Sequence, residues 1–312
     1  MTANPRSDAF HACLARLNTA AEQAWPLLQS TLETHQTQTP QLSPAGPTRP
    51  GISVEVLASI DSTNTELMRR ARAGLCDPVL LVAVEQTAGR GRMGKTWLSQ
   101  PGDSLTFSMA LPMQPIHWAG LSLAVGVSLA DTLAARLPAA LQPQLQLKWP
   151  NDLWLNGAKL AGILVETAHV GTRPCVVVGV GINVIPPTTQ ALSEAVAAKP
   201  PLSGAGSTWP GLPPTGLACH VPEMDAASTL VAVAPALLSD LLAFETLGFA
   251  AFSQRFALRD ALRDRPLVLS DGTQGTGCGV DDSGALLVLT DQGMRTVNSA
   301  EVSVRPGRND PC

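Results

Sequence analysis

A chain of 312 residues can bury a sizeable core, as one large domain or two smaller ones. Hydrophobic residues make up 45% of it and charged residues only 15%, which excludes a disordered chain, and a formal net charge of -4 argues against broad nonspecific nucleic-acid binding. The opening MTANPRSDAF has neither an apolar segment nor an Arg-rich amphipathic leader, so the sequence predicts a cytoplasmic protein. Cys13, Cys76, Cys175, Cys219, Cys278 and Cys312 are scattered with no CxxC pair and no local His partner, which predicts reduced, mostly buried thiols rather than zinc or a disulfide framework.

In chain order, Phe10, Leu14, Leu17, Ala21, Ala24, Leu28 and Leu32 recur at spacings of three and four and predict one amphipathic helix over 8–33. A Pro-rich linker follows at 40–50. Residues 1–50 balance Arg6, Arg16 and Arg49 against Asp8, Glu22 and Glu33, so no basic winged helix-turn-helix is expected there. From 52 to 184 short β-rich runs alternate with helical ones, the pattern of a sheet with helices packed on it. Ser62 or Thr63 is placed to cap the helix STNTELMRRARAG, with Glu66 completing a capping box and Gly74 stopping it.

The apolar window 121–141 carries Asp131, Arg136 and Pro138, so it reads as a buried helix rather than a membrane span. Asn156-Gly157 marks a tight hairpin that lets Lys159 emerge just past the turn. Residues 186–222 hold eight prolines and predict a long irregular excursion. Helical periodicity returns over 226–262, and turn signals at Asp271-Gly272, Ser283-Gly284 and Gln292-Gly293 punctuate a terminal β barrel of about four or five strands. The division expected is 1–50 for helix and linker, 51–263 for the main domain with 186–222 as an insertion, 264–306 for the barrel and 307–312 for a tail.

Chemistry concentrates at EQTAGRGRMGKTW. Arg90 and Arg92 carry planar forks suited to two-point contact with carboxylate or phosphate, and Gly89, Gly91 and Gly94 let backbone approach a ligand. The register fits neither a dinucleotide fingerprint nor a P-loop, and a solvated basic turn is the bland alternative. KWPNDLWLNGAKLAG sets Lys148, Asn151, Asp152 and Lys159 around a strand pair, with Gly162 permitting close approach. So many polar groups in an apolar stretch need partners, and a ligand is one.

Together DSTN, EQTAGRGRMG, KWPNDLWLNGAKLAGILVE and GVGIN resemble the biotin protein ligases, most strongly over 55–184, with the terminal barrel resembling their C-terminal domain. The resemblance implies an α+β fold, with a mixed sheet like that of the class II aminoacyl-tRNA synthetases packed on helices and followed by a small SH3-like β barrel. It implies a monofunctional ligase without an N-terminal repressor module, which forms biotinyl-5′-AMP from biotin and ATP with Mg²⁺. That ligase then transfers biotin to a lysine of a biotin carboxyl carrier domain. No DNA or membrane partner is implied, and a homodimer through an edge strand stays open.

By the same resemblance Ser62, Thr63, Asn64 and Gln86 line the biotin end with Gly162, while Arg90, Gly91, Arg92 and Lys159 meet the carboxylate and phosphates, Arg90, Arg92 and Lys159 being the catalytic set. Gly89, Gly94, Lys95, Trp97, Asn151, Asp152 and Asn183 fall on the nucleotide side. A metal-ligand set is not assigned. Family members often carry an aromatic residue where this chain has Leu98, so Trp209 is the further candidate for stacking on adenine. A lipoate ligase is the rival enzyme, but a dithiolane has little for Ser62, Thr63 and Gln86 to bond. A noncatalytic biotin-binding protein would leave Lys159 and the paired arginines without use.

Overall fold

The computed structural model describes residues 5–38, 51–170, 173–188, 213–298 and 304–306. Its centre is a seven-stranded sheet in the order β1-β2-β3-β7-β6-β5-β4. The strands are β1 (Ser53–Ile60), β2 (Val79–Gln86), β3 (Ser104–Pro112), β4 (Leu145–Lys148), β5 (Asp152–Leu155), β6 (Ala158–Val170) and β7 (Arg173–Asn183). Only β1 and β2 run parallel. The near-continuous apolar runs of β2, β3 and β7 suit strands covered on both faces, and they sit inside the sheet. At the β5–β6 turn Asn156 and Gly157 both take the left-handed conformation, with φ of 52° and 75°, as a two-residue hairpin requires.

Alternate residues divide the sheet into two unequal faces. On one, Leu80, Val82, Leu105, Phe107, Met109, Val178 and Val180 join the main core beneath α1 (Pro5–Gln38), α3 (Leu121–Ala134) and α4 (Ala226–Leu247). On the other, Leu81, Ala110, Ala168, Cys175 and Val177 pack on Leu67, Met68 and Ala71 of α2 (Thr63–Arg72). Ten residues of helix span only about 15 Å. The rest of that face is left for the site.

The stripe expected at the N-terminus is the buried side of α1: Leu17, Ala21, Ala24, Leu28 and Leu32 are sealed against the body of the protein. The helix is longer than its stripe, because polar residues continue it to Gln38. α4 is long and apolar enough to cross a membrane by composition alone, yet half of its apolar window is buried within the fold, where it packs on α1 and α3 as a core helix. Gly248 ends it at a φ of 66°, and α5 (Ser253–Ala257) follows a 3-10 turn.

A second, five-stranded antiparallel sheet has the order β11-β10-β9-β8-β12, from β8 (Pro266–Leu269), β9 (Gln274–Val280), β10 (Leu286–Thr290), β11 (Gly293–Val297) and β12 (Val304–Pro306). The buried Trp149, which follows β4, donates its indole N–H to the Gly284 carbonyl at 3.0 Å and ties the β4–β5 turn to this sheet.

The cysteine expectation is corrected. Cys76, just beyond α2, and Cys175, on β7, form a disulfide across 99 residues of chain. The sheet brings distant cysteines together, which spacing along the sequence cannot reveal. Among the described residues the free thiols are not mostly buried either: Cys219 is exposed, and Cys13 and Cys278 are half-buried. Trp209 and most of the proline-rich excursion lie outside the described residues.

Candidate active site

The sheet face that α2 leaves bare is floored by glycine. Gly162 on β6 pairs directly with Gly181 on β7, and Gly179 lies two residues away on the same face. A Cβ at Gly179 would collide with Asn64 Oδ1, and one at Gly181 would collide with the Trp97 indole. These positions are glycine because side chains from α2 and the glycine loop lie flat on the backbone.

At one end of the cleft the chain buries a hydroxyl and amide network. Ser62 caps α2 and its side chain accepts from the Thr65 N–H at 3.4 Å; this puts Thr65 at the third helical position, so Glu66 does not close the expected capping box, and it pairs with Arg69 and Arg70. Gln86 Oε1 accepts from the Thr63 backbone N–H at 2.8 Å and from its hydroxyl at 3.1 Å. Ser108 Oγ lies 2.7 Å from Thr63 Oγ1 and 2.6 Å from Asn64 Oδ1. Ser62, Thr63, Asn64 and Ser108 are all at most 3% exposed. Polar groups this deep must be paired, and partners fixed on a strand, a helix terminus and a strand end hold their rotamers.

The other end is cationic. Arg92 is half-buried, with Nη1 3.4 Å from Asn151 Oδ1, and burial lowers its pKa from the ordinary arginine value while Asp152 pulls it back up. A desolvated guanidinium gains more from an arriving anion than one in water. Lys159 Nζ donates to Asp152 Oδ1 at 2.7 Å and sits 5.7 Å above the Trp97 ring. The Trp97 Nε1 donor is buried without a hydrogen-bond partner. Arg90 bonds Glu166 with both terminal nitrogens, at 2.9 and 3.2 Å.

The glycine loop closing this end is folded back on itself. Gly91 N–H donates to Lys95 O and Trp97 N–H to Gly89 O, while Met93 and Gly94 are successive left-handed residues with φ of 53° and 67°. Met93 pays a steric cost there that glycine does not.

The chain matches the Biotin/lipoate A/B protein ligase family over residues 56–183 and the Biotin protein ligase C terminal domain over residues 271–305. A biotin--[acetyl-CoA-carboxylase] ligase of Paracoccus denitrificans is 34% identical over 79% of this chain and 98% of its own length. The chain belongs to the biotin protein ligase family. The bifunctional ligase/repressor of Escherichia coli is 34% identical over 82% of this chain and 75% of its own. The structure of the Aquifex aeolicus biotin protein ligase in complex with biotin and ATP superposes with a TM-score of 0.64, at 25% identity over 82% of this chain and 99% of that one.

In this biotin protein ligase one cleft gathers Ser62, Thr63, Asn64, Gln86, Arg90, Gly91, Arg92, Lys95, Trp97, Asn151, Asp152, Lys159 and Gly162. Three expected residues are not in its lining. Gly89 packs beneath the Trp97 carbonyl, Gly94 shapes the loop, and Asn183 lines a separate small pocket with Asp103, its Nδ2 3.4 Å from the Lys159 carbonyl. Arg90 lines the cleft with its fork engaged by Glu166. Sequence reasoning missed Ser108, Gly179 and Gly181 as lining residues and Glu166 as the partner of Arg90. A hydroxyl inside the apolar run SLTFSMAL and alternating glycines in VVVGVGIN were the available signals.

Proposed function

We propose that the ligase forms biotinyl-5′-AMP and pyrophosphate from biotin and ATP and passes the biotinyl group to a carrier-domain lysine. The observation that carries this is the joining, in one cleft, of a buried hydroxyl and amide network to a cationic end. The ureido ring is read by Ser62, Thr63, Asn64 and Gln86, and the valeryl chain runs from there toward Arg92 and Lys159. A carboxylate attacking an α-phosphate must approach negative charge, and cations held in a dry cleft offset that repulsion most where it peaks. Lys159 then moves from Asp152 to the oxygens shared by acid and phosphate, while Arg92 covers the phosphoryl oxygens. Trp97, Lys95, Asn151 and Asp152 serve the nucleotide, with the unspent Trp97 Nε1–H as a donor to it.

Among the described residues no group of three His, Cys, Asp or Glu could hold a metal, and Asp152 is the one carboxylate lining the cleft. That donor set fits Mg²⁺ arriving on nucleotide phosphates, which keeps most coordination positions for phosphate and water. Asp152 and Asn151 are the groups of this chain that would hold it, directly or through water. The acceptor is a biotin carboxyl carrier domain and the compartment is the cytoplasm.

The test is transfer. Purified protein with biotin, ATP, Mg²⁺ and a carrier domain should yield streptavidin-reactive carrier, with label lost when EDTA is added or the acceptor lysine is changed to arginine. Carrier that stays unlabelled under full conditions would overturn the reading.

A further inference from the structure

Glu166 stands outside the cleft lining and outside every role assigned above, yet it joins the cleft's two ends. Its Oε2 accepts from Asn64 Nδ2 at 3.0 Å, in the buried network, and its two oxygens take the Arg90 fork at 2.9 and 3.2 Å, in the glycine loop. It lies on β6, on the face floored by Gly162, and only a fifth of its side chain is exposed against nearly half of that of Arg90. Arg90 Nη1 also reaches Thr65 Oγ1 at 3.4 Å, so the guanidinium is pinned over the start of α2. The series Gln86, Thr63, Ser108, Asn64, Glu166 and Arg90 is therefore a continuous hydrogen-bonded path from the sheet to the loop.

From this juxtaposition we propose that Glu166 is a positioning residue that latches the glycine loop over the cleft through Arg90 and thereby sets how long the acyl-adenylate is retained. The proposal rests on the ligase reading for its adenylate, but the latch is a property of the ligand-free protein. Rigid β6 supplies the fixed half and the loop the moving half. The pair acts beside the loop's backbone bonds and the Arg92–Asn151 contact, and it is the bidentate tie that joins the loop to β6. A bidentate pair fixes direction as well as distance, and a partly exposed one is weak enough to open each cycle. Glu166 also keeps Asn64 Nδ2 occupied, which leaves Asn64 Oδ1 facing Ser108.

The experiment compares wild type, Glu166→Gln, Arg90→Ala and the double variant. Gln keeps size and an amide oxygen for Asn64, so the variant folds with an unchanged unfolding midpoint. Hydrogen–deuterium exchange of the ligand-free proteins should quicken over residues 90–97 by about twofold to fivefold in either single variant, the range expected of an exposed ion pair. It should quicken no further in the double. With biotin, ATP and Mg²⁺ but no carrier, escape of biotinyl-5′-AMP should rise by a similar factor in Glu166→Gln, with the rate of its formation little changed. Unaltered loop exchange in Glu166→Gln, or effects that add in the double variant, would overturn the latch. Failure of wild type to form any adenylate from biotin would strike the ligase reading instead, and the exchange data would still decide the latch.

Discussion

The two ends of the cleft are built on opposite principles. The end assigned to the ureido ring is fixed before any ligand arrives: its hydroxyls and amides are buried, mutually bonded and carried on a helix N-terminus and the sheet. The glycine loop is largely exposed, and its contacts to the sheet side include the Arg90–Glu166 ion pair, worth about 0–1 kcal/mol, and the Arg92–Asn151 bond. Selectivity needs groups that do not move, since an adaptable pocket accepts near-isosteres. Charge stabilisation and shielding of a mixed anhydride need a cover that opens to admit ATP and closes to exclude water.

Substitutions that hit one end and spare the other test that division. Lys159→Ala should have the largest effect, lowering the adenylation rate by about 2–4 kcal/mol while biotin binding, read by calorimetry, changes little. A matching loss of biotin affinity would show that the two ends are not separable. Gly179→Ala drives a methyl group into Asn64 Oδ1 and should weaken biotin binding by about 1–3 kcal/mol. Ser108→Ala strips a partner from Thr63 and Asn64 together and should raise KM for biotin by about 1–2 kcal/mol with kcat nearly unchanged, the pattern of lost uniform binding. A fall in kcat at constant KM would instead place Ser108 with the chemistry. Arg92→Gly should be mildest in affinity, about 0.5–1 kcal/mol from its long bond to Asn151, and show itself as adenylate released into solution in quenched-flow assays. Retention of adenylate at the wild-type level would remove Arg92 from the cover.

The sequence was most legible where local rules apply. Period and turn chemistry marked α1, α2, the central strands and the Asn156-Gly157 hairpin, because each is set by residues close in the chain. The paired arginines and Lys159 stood out as charge in an apolar context. What escaped depends on sheet register. Ser108 looks like any strand serine until β3 sets it against Thr63 and Asn64, and Glu166 looks like a solvent-facing strand residue until β6 sets it beside Arg90, 76 positions away in sequence. The Cys76–Cys175 disulfide is invisible for the same reason. The capping box failed because the structure sets the N-cap at Ser62, which makes Thr65 the N3 residue and leaves Glu66 one position too far, while the Ser62 N–H is taken by Asp61.

The central claim is that a prearranged polar end selects biotin for activation by the cationic end. ATP–pyrophosphate exchange with Mg²⁺, run in parallel with biotin, lipoate and octanoate, tests it most directly. The account predicts exchange with biotin alone, since neither other acid offers a ureido group to Thr63, Asn64 and Gln86. Comparable exchange with lipoate, or none with biotin, would contradict it.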